Sequence, residues 1–266
     1  GALTPQEVDY LGHAVDGLFK RHATPREEVS GIGATEDRSG VVANAVEKCD
    51  ALLMLLDHPR TFPLVLDLLG PYITLGLSET TVKAPAQQTG DYTGFIHTDG
   101  GHSLSRISVD ENSRPLLLKT HYFLTDCCAP QMGNFAVVPR SHSQTPFWKP
   151  GSDTTPDKAK AIPVLMKAGD CVMWAHPLWH GAMPNLSPVT RKTVTFGYTQ
   201  MFIRPLAEPP SQRLLSRCTL RQRRLLGDMG DSGTDATWGS QFGYFYPTSD
   251  YADIMQASSD PAHGPA

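Results

Sequence analysis

Two histidines and one carboxylate lie close together in the sequence His97-Thr98-Asp99-Gly100-Gly101-His102. Imidazole nitrogens and carboxylate oxygens are common ligands for divalent transition metals. In an extended segment, residues two positions apart project from the same face, so His97 and Asp99 could reach one ion. The glycine pair would end that segment. The motif is therefore either part of a metal site or a turn that carries histidines.

A third ligand would have to come from a distant part of the chain, where His176 and His180 both lie at the end of a strand that begins at Gly169. Their spacing alone does not choose between them. Arg191 lies a short distance beyond His180, where a guanidinium could hold the remote carboxylate of a dicarboxylate cosubstrate through a bidentate pair. Arg191, Thr193 and Thr195 alternate along one strand face, so the Thr193 hydroxyl could add a hydrogen bond. This arrangement favours His180, with His176 as the second choice, and is typical of non-haem Fe(II) oxygenases.

The first part of the chain carries helix signals. Thr4-Pro5-Gln6-Glu7 combines an N-cap threonine, a proline in the first turn and a glutamate, which predicts the start of a helix. Thr24-Pro25-Arg26-Glu27 repeats this pattern. Further helices are predicted over Ala43–Leu56 and Phe62–Leu69. We therefore predict a helical layer over residues 1–70.

From residue 71 to residue 205, short runs rich in β-branched and aromatic residues alternate with Gly, Pro, Asn and Asp. Such runs are typical of strands separated by turns. The predicted strands are Tyr72–Leu77, Thr80–Ala84, Leu116–Leu124, Asn134–Val138, Asp170–Trp174 and Lys192–Ile203. Together with the helices they predict a single domain over 1–266, in which a helical layer packs on an antiparallel β-sandwich or barrel. Residues 142–162 are predicted as a long loop.

Residues 206–266 are predicted as a C-terminal extension of helices and loops. Within it, the segment Ser211–Leu226 interleaves arginines with leucines, as a basic amphipathic helix does. A solvated face over a packed apolar stripe is the favoured interpretation, and contact with an anionic partner is the alternative.

The composition limits the classes of partner. The 266 residues carry a formal net charge of −4, whereas nucleic-acid binders are usually basic, so we expect no nucleic-acid partner. The five cysteines are odd in number and form no C-x-x-C pair, which predicts reduced thiols. The sequence shows neither the apolar run of a membrane span nor the pattern of a signal peptide. We predict a cytoplasmic monomer or homodimer without membrane contact.

The order and spacing of several motifs resemble the phytanoyl-CoA dioxygenase family of Fe(II)/2-oxoglutarate oxygenases. These motifs are His97-Thr98-Asp99, Pro139-Arg140-Ser141-His142, Gly169-Asp170, His180-Gly181, Asn185 and Arg191. The resemblance covers Phe62 to Ile203 and implies a double-stranded β-helix (jelly-roll, cupin-like) core. Two positions depart from the family pattern, since Ala182 stands where serine is common and Arg140 stands where glycine is common.

The resemblance also implies a role for each residue of the suspected metal site. His97, Asp99 and His180 would bind Fe(II), and Arg191 with Thr193 would anchor the cosubstrate 2-oxoglutarate. O2 would be the oxidant, and ascorbate is expected to support activity in vitro. No further catalytic acid or base is expected, because the iron carries the difficult chemistry.

Other pocket residues follow from the same resemblance. Lys119 or Thr120, on the predicted strand Leu116–Leu124, would be further contacts with 2-oxoglutarate. The candidate substrate contacts are Gln88, Tyr92, His102 and Trp174, with Gln87, Thr93 and Met183 as additional pocket-lining residues.

The predicted activity is oxidation, most simply hydroxylation, of an unactivated C–H bond in a small natural-product or lipid-like molecule. Asp99 disfavours halogenation, because related halogenases carry a small residue in that position. Desaturation, epimerisation and cyclisation stay open as uses of the same chemistry in secondary metabolism. A nucleic-acid or protein demethylase is disfavoured by the acidic net charge. A non-catalytic, cupin-like binding protein is the alternative from a different class.

Overall fold

The computed structural model describes residues 1–22, 40–85, 96–104, 107, 109–110, 113–143, 158–230 and 247–257. Its α-helices are α1 Pro5–His22, α2 Ala45–Lys48, α3 Leu53–Leu56, α4 Phe62–Leu69, α5 Gly101–Leu104, α6 Gln212–Leu215, α7 Leu220–Leu225 and α8 Tyr251–Gln256. Its strands are β1 Gly40–Ala43, β2 Ile73–Lys83, β3 Ile96–His97, β4 Leu117–Phe123, β5 Phe135–Val137, β6 Ile162–Pro163, β7 Cys171–Ala175, β8 His180–Ala182 and β9 Arg191–Gln200.

The strands form two antiparallel sheets. The first has the strand order β1-β2-β9-β4-β7, and the second has the order β3-β8-β5-β6. The sheets pack face to face, since the ring of Phe135 in the second sheet lies 4.5 Å from the ring of Trp174 in the first. Phe123 and Cys127 complete the apolar cluster between them. The predicted double-stranded β-helix is confirmed, and its interior lies between the two sheets.

The other face of the first sheet is covered by the predicted helical layer. The hydroxyl groups of Thr61 and Tyr122 lie 2.6 Å apart, which joins the start of α4 to β4. The Tyr198 hydroxyl on β9 donates to the Leu56 carbonyl at 2.8 Å. Both tyrosines are buried. The helices therefore stiffen the sheet from outside and leave its inner face to the site.

Helix α1 begins at the predicted cap. The Thr4 amide donates to Glu7 Oε2 at 2.7 Å, and the Glu7 amide donates to Thr4 Oγ1 at 3.3 Å, so both residues satisfy backbone groups of the first turn. Helix α4 covers Phe62–Leu69 as predicted. The second start signal, Thr24–Glu27, lies outside the described residues.

The single helix predicted over Ala43–Leu56 is wrong. Ala43 belongs to β1, which pairs with β2, and the chain then forms α2, a 3-10 turn over Asp50–Leu52, and α3. Asn44 is left-handed at φ 57°, and Cys49 is extended at φ −148°, so neither residue can continue an α-helix. Strand pairing at the sheet edge thus overrides the local helix propensity.

The strand predictions need three corrections. The two strands predicted over residues 72–84 are one strand, β2, with an irregularity between Leu75 and Leu77. Strands β1, β3, β6 and β8 are not among the predicted strands, and each is short. Of the predicted loop 142–162, the described ends form 3-10 turns at Ser141–Ser143 and Lys158–Lys160, with the first residue of β6 at Ile162.

The arginine-rich segment forms two short helices, α6 and α7, rather than one. Its arginines face acidic residues of the same chain: Arg213 and Arg217 bind Asp50, Arg221 lies 3.5 Å from Asp57, and Arg223 and Arg224 bind Asp228. Leu214 and Leu225 are buried against the helical layer. These pairs favour a packing role for the segment.

Within the described part of the chain, no helix has both the length and the apolar character needed to cross a membrane.

Candidate metal centre

Two strands of the second sheet bring the distant histidines together. In the antiparallel pair β3–β8, His97 lies directly opposite His180, and their ring centroids are 4.4 Å apart. Asp99 follows β3 in a bend, where its amide donates to the His176 carbonyl at 2.9 Å. Gly100 adopts φ 78°, which a residue with a side chain rarely does. The pairing register and this bend therefore place the three side chains at one point.

The three side chains form a compact ligand set. Each offers one ligand atom, and these atoms lie within 4.8 Å of one another. His97 Nε2 lies 3.9 Å from Asp99 Oδ1, and His180 Nε2 lies 3.6 Å from Asp99 Oδ2. Among the described residues, this is the group of His, Cys, Asp and Glu side chains that could hold a metal ion. Two imidazoles and one carboxylate suit a non-haem Fe(II) centre with open positions.

Hydrogen bonding and burial keep the His180 imidazole neutral and leave its Nε2 free to bind a metal. Its Nδ1 lies 2.8 Å from the Leu178 carbonyl, which can only accept, so Nδ1 carries the proton and Nε2 keeps its lone pair. Burial lowers the pKa of His180 to about 4, although the nearby Asp99 opposes this shift. The ring is therefore neutral at physiological pH, as a metal ligand must be.

Both oxygens of Asp99 are oriented by other side chains. Lys119 Nζ lies 2.7 Å from Oδ1, and Trp174 Nε1 donates to Oδ2 at 2.8 Å. Burial would raise the pKa of Asp99, but His180, Lys119 and the bond from Trp174 together hold it below its usual value. The carboxylate is therefore ionised and fixed in place.

We expect Trp174→Phe to weaken metal binding by about 10- to 100-fold, because partners that orient a ligand contribute about that much to affinity. The change removes the indole N–H that fixes Asp99 Oδ2 while keeping an aromatic ring in the apolar cluster. Calorimetric titration with Ni(II) or Co(II) measures the effect. Tyr122→Phe is the matched control, since Tyr122 lies on the opposite face of the neighbouring strand. Equal affinity in Trp174→Phe and the wild type would show that the bond does not orient the ligand.

His176 lies outside the ligand set. Its side chain is fully buried, and its Nε2 donates to the Ile107 carbonyl at 3.1 Å. Strand β7 ends at Ala175, and a turn carries the chain to His180, which begins β8 rather than ending the preceding strand as predicted. Of the two candidate distal histidines, the structure therefore brings His180 to His97 and Asp99.

Arg191 is buried on the first sheet, at the start of β9. Its Nη1 donates to the Gly133 carbonyl at 2.7 Å, and the residue is 4% exposed. Burial lowers the pKa of Arg191 to about 10, so the guanidinium stays charged. Thr193 is also buried, and its hydroxyl lies 3.5 Å from the Thr81 carbonyl. A buried cation without a carboxylate partner among the described residues is a suitable anchor for an anion.

Lys83 is a second cation that the sequence did not reveal. It pairs with Arg191 in the β2–β9 register, and its Nζ donates to the Met183 carbonyl at 2.8 Å. Burial, followed by the charge of Arg191, lowers the pKa of Lys83 to about 8. Only its cross-strand pairing with Arg191 could have identified it, and that pairing joins two distant segments of the sequence.

His121 lies within electrostatic reach of both the metal ligand His180 and Arg191. Its Nδ1 is 2.7 Å from Thr195 Oγ1, while its Nε2 has no hydrogen-bond partner in the described ranges. Burial, and then the charges of Arg191 and Lys119, lower the pKa of His121 well below its usual value. A neutral imidazole thus faces the interior near both charged groups.

The two candidate 2-oxoglutarate contacts on β4 face opposite ways. Lys119 points into the interior, where it meets Asp99. Neighbouring residues of a strand alternate in direction, so Thr120 shares the face of Tyr122, which contacts the helical layer at Thr61. Thr120 is therefore directed away from the metal ligands.

The candidate substrate contacts differ in where they lie. Gln88 and Tyr92, like Gln87 and Thr93, lie outside the described residues. His102 lies in α5, directly after the metal motif, and its side chain is outside the described part. Trp174 is 6% exposed, and its indole N–H is committed to Asp99.

The departure at Arg140 has a conformational explanation. Arg140 adopts φ 63°, a left-handed conformation in which glycine is favoured, and its carbonyl accepts a bond from the Ser143 hydroxyl. The turn therefore keeps the shape expected of the glycine version. The other departure, Ala182, lies on β8 opposite Phe135.

A family model described as phytanoyl-CoA dioxygenase (PhyH) matches residues 1–193. The chain belongs to this family. The resemblance in the sequence motifs is thereby confirmed, and the match reaches further towards the N-terminus than those motifs do. The residues that match the phytanoyl-CoA dioxygenase family model include His97, Asp99, His180 and Arg191.

Several solved structures share this fold. The α-ketoglutarate-dependent epimerase SnoN of nogalamycin biosynthesis is 23% identical, with 76% of this chain and 74% of SnoN covered at a TM-score of 0.57. The carbocyclase SnoK of the same biosynthesis is 24% identical, with 82% and 83% covered and a TM-score of 0.56. HygX from Streptomyces hygroscopicus, with nickel, 2-oxoglutarate and hygromycin B bound, is 18% identical, with 78% and 83% covered and a TM-score of 0.59.

Proposed function

We propose that this protein is an Fe(II)/2-oxoglutarate-dependent oxygenase that oxidises an unactivated C–H bond of a small molecule. The observation that carries the proposal is the convergence of His97, Asp99 and His180 in one ligand set, in which Asp99 and His180 are buried. The second support is the cation pair Lys83–Arg191 on the strands that form the same interior. A metal hydrolase would have no need of these buried cations, whereas the remote carboxylate of a dicarboxylate cosubstrate needs a positively charged partner.

The metal ligands and the buried cations each have a defined task in this proposal. His97, Asp99 and His180 would hold the iron, and Arg191 with Thr193 and Lys83 would bind the remote carboxylate of 2-oxoglutarate. When bound, iron and 2-oxoglutarate supply the oxidising power, with O2 as oxidant and succinate and CO2 as by-products.

The aromatic cluster of Phe123, Phe135 and Trp174 would exclude water from the reacting centre. A dry interior also strengthens the charge pairs within it, because the local dielectric constant is low. These side chains therefore position and shield the reactants without needing a separate acid or base.

The substrate class is a small natural-product or lipid-like molecule. HygX carries hygromycin B, and SnoN has been solved with Fe3+, α-ketoglutarate and nogalamycin RO. Hydroxylation is the simplest outcome, and epimerisation and cyclisation, the activities of SnoN and SnoK, are the alternatives. They share the initial hydrogen abstraction and differ in the fate of the substrate radical.

The test is a screen for substrate-dependent 2-oxoglutarate consumption with Fe(II), ascorbate and O2, using a panel of natural products and lipids. Mass spectrometry separates the outcomes, because hydroxylation adds one oxygen, desaturation or ring closure removes two hydrogens, and epimerisation leaves the mass unchanged. Protein loaded with Zn(II) is the matched control, since zinc has no redox chemistry.

If the protein bound no metal ion and turned over no compound of the panel, the proposal would be contradicted. It would instead support a non-catalytic, cupin-like binding protein. Metal binding together with slow, substrate-independent formation of succinate would keep the enzyme and indicate that the panel lacks its substrate.

We expect the KM for 2-oxoglutarate to rise as the pH increases through about 8. Below that value the Lys83 ammonium adds positive charge beside Arg191, and above it the charge is lost, so binding of the dianion weakens. The pH profile of kcat/KM for 2-oxoglutarate reports this ionisation in the free enzyme. Lys83→Met should raise the KM at neutral pH and remove the inflection near pH 8.

Lys192→Met is the control for this prediction. Lys192 is next to Arg191 on β9, but its Nζ binds Asp16 of α1 at 2.7 Å, outside the interior. The inflection should persist in Lys192→Met. An unchanged inflection in Lys83→Met would assign it to another group.

A further inference from the structure

Lys119 is a buried cation in direct contact with a proposed metal ligand. The residue is 8% exposed, and its Nζ lies 2.7 Å from Asp99 Oδ1 and 5.8 Å from the centre of the Trp174 ring. A buried ammonium needs an anionic partner, because its hydration is lost. In this structure Asp99 supplies the partner.

A metal ion held by the three ligands would have to share Asp99 with this ammonium. Oδ1, the oxygen that Lys119 contacts, is also the Asp99 oxygen paired with His97 Nε2 at 3.9 Å. Two positive charges on one carboxylate repel each other, and the repulsion is strong where water is excluded. Lys119 therefore opposes metal binding unless a second anion takes up its charge.

Glu79 offers a second carboxyl group on the same face of the sheet. It lies on β2 and pairs with Thr195 of β9, which in turn pairs with His121 of β4. Since Thr195 and His121 point into the interior, residues in register with them share that face, and Glu79 does too.

The electrostatics of Glu79 connect it to Lys119. Burial raises the pKa of Glu79, the charge of Lys119 lowers it, and the charge of Asp99 raises it, so all three groups lie within electrostatic reach. In the described ranges, Glu79 has neither a hydrogen bond nor an ion pair within 4.0 Å. An ionised Glu79 would also repel 2-oxoglutarate, because 2-oxoglutarate is a dianion.

We propose that Lys119 is a counter-ion shared by two carboxylates, and that Glu79 accepts its ammonium when a metal ion binds Asp99. The inference rests on the proposed function, because it concerns the metal ligand Asp99. Lys119 and Glu79 are then positioning residues. They set the affinity of the site for its metal, and neither needs to contact the metal itself.

The arrangement predicts opposite effects for two nearly isosteric substitutions. Lys119→Met removes the competing cation, and the affinity for a divalent metal rises by about 10-fold. Glu79→Gln removes the alternative anion, so Lys119 stays on Asp99 and the affinity falls by about 10-fold. These sizes are at the lower end of the range for residues that act through a ligand.

The double variant supplies the decisive measurement. If Glu79 acts through Lys119, then adding Glu79→Gln to Lys119→Met changes the affinity little, and the two effects are not additive. The experiment is calorimetric titration of the full chain with Co(II) and Ni(II) at one fixed pH. The Co(II) absorption spectrum, recorded in parallel, shows whether the ligand set is retained.

The controls separate electrostatics from folding. Glu208→Gln and Lys192→Met remove charges outside the interior and should leave metal affinity unchanged. Circular dichroism and thermal melting establish that each variant is folded. Lys119→Gln replaces Lys119→Met if the apolar variant does not fold, since it removes the charge while keeping a polar end.

The outcomes also separate this inference from the proposed function. Wild-type protein that binds neither metal ion would refute the metal centre itself. Wild-type protein that binds metal while Glu79→Gln lowers affinity equally with and without Lys119 would refute only the shared counter-ion. Unchanged affinity in Glu79→Gln would refute it as well.

Discussion

Asp99→Ala is expected to lower metal affinity by more than about 100-fold and to abolish metal-dependent consumption of 2-oxoglutarate. Residues that only orient a ligand contribute about 10- to 100-fold, so loss of the ligand itself should exceed that range. Asp99 is also the one carboxylate in the ligand set, and two neutral imidazoles alone bind a divalent ion weakly. Titration with Ni(II) and an assay of succinate formation measure the two effects.

The variant needs a check on folding, because Asp99→Ala leaves the buried Lys119 without its nearest anion. Removing one partner of a buried ion pair costs about 3–5 kcal/mol. Asp99→Asn keeps the shape, and its amide oxygen can still accept from Trp174, so it tests the loss of charge without opening a cavity. Asp16→Ala, at an exposed carboxylate on α1, is the control. Succinate formation and full metal affinity in Asp99→Ala would refute the assignment of Asp99 as a ligand.

The elements that the sequence predicted well are those in which local and tertiary signals agree. Helix α4 has an apolar face and a proline in its first turn, and its observed bounds are the predicted ones. Strand β4 is buried on both faces, and its apolar run identified it to within one residue at each end. In Ala43–Leu56, by contrast, the apolar spacing favours a helix, but Ala43 is the last residue of β1 and pairs with β2.

The metal motif was recognisable because its residues are chemically unusual and close in sequence. The distal histidine was harder to assign, since His176 and His180 lie only four residues apart and differ chiefly in tertiary placement. The β3–β8 register puts His180 opposite His97, whereas His176 donates its ring N–H to a backbone carbonyl. Strand pairing of this kind depends on contacts between distant segments, which one sequence does not display.

The same limit explains the groups that were missed. Lys83 and Glu79 lie on β2, and their placement in the interior follows from pairing with the distant strand β9. On β4 the sequence left Lys119 and Thr120 as alternatives, and the alternation of side chains decides which of them faces the interior. His121 packs against an aromatic ring on the same strand, and its Nδ1 lies within hydrogen-bond distance of Thr195.

Arg191→Met is expected to raise the KM for 2-oxoglutarate by at least about 30-fold while leaving metal affinity nearly unchanged. Losing one member of a buried, hydrogen-bonded charge pair costs about 2–5 kcal/mol, and 2 kcal/mol corresponds to roughly 30-fold in affinity. Arg191 is fixed by the Gly133 carbonyl and stays charged despite burial, so little of its binding energy is spent on ordering the side chain.

Arg191→Lys sharpens this prediction, because lysine keeps the charge but lacks the planar fork that binds a carboxylate through two bonds. Its KM should lie between those of the wild type and Arg191→Met. Lys192→Met, one residue further along β9 and directed at Asp16, is the control and should behave as the wild type does. The KM for 2-oxoglutarate and the Kd for Ni(II), measured on the same preparations, distinguish the anchor from the metal site.

If Arg191→Met lost metal affinity as strongly as Asp99→Ala, Arg191 would support the ligand set rather than bind the cosubstrate. An unchanged KM would place the dicarboxylate on other cations of the interior, with Lys83 as the first to test, because it pairs with Arg191 across the β2–β9 register.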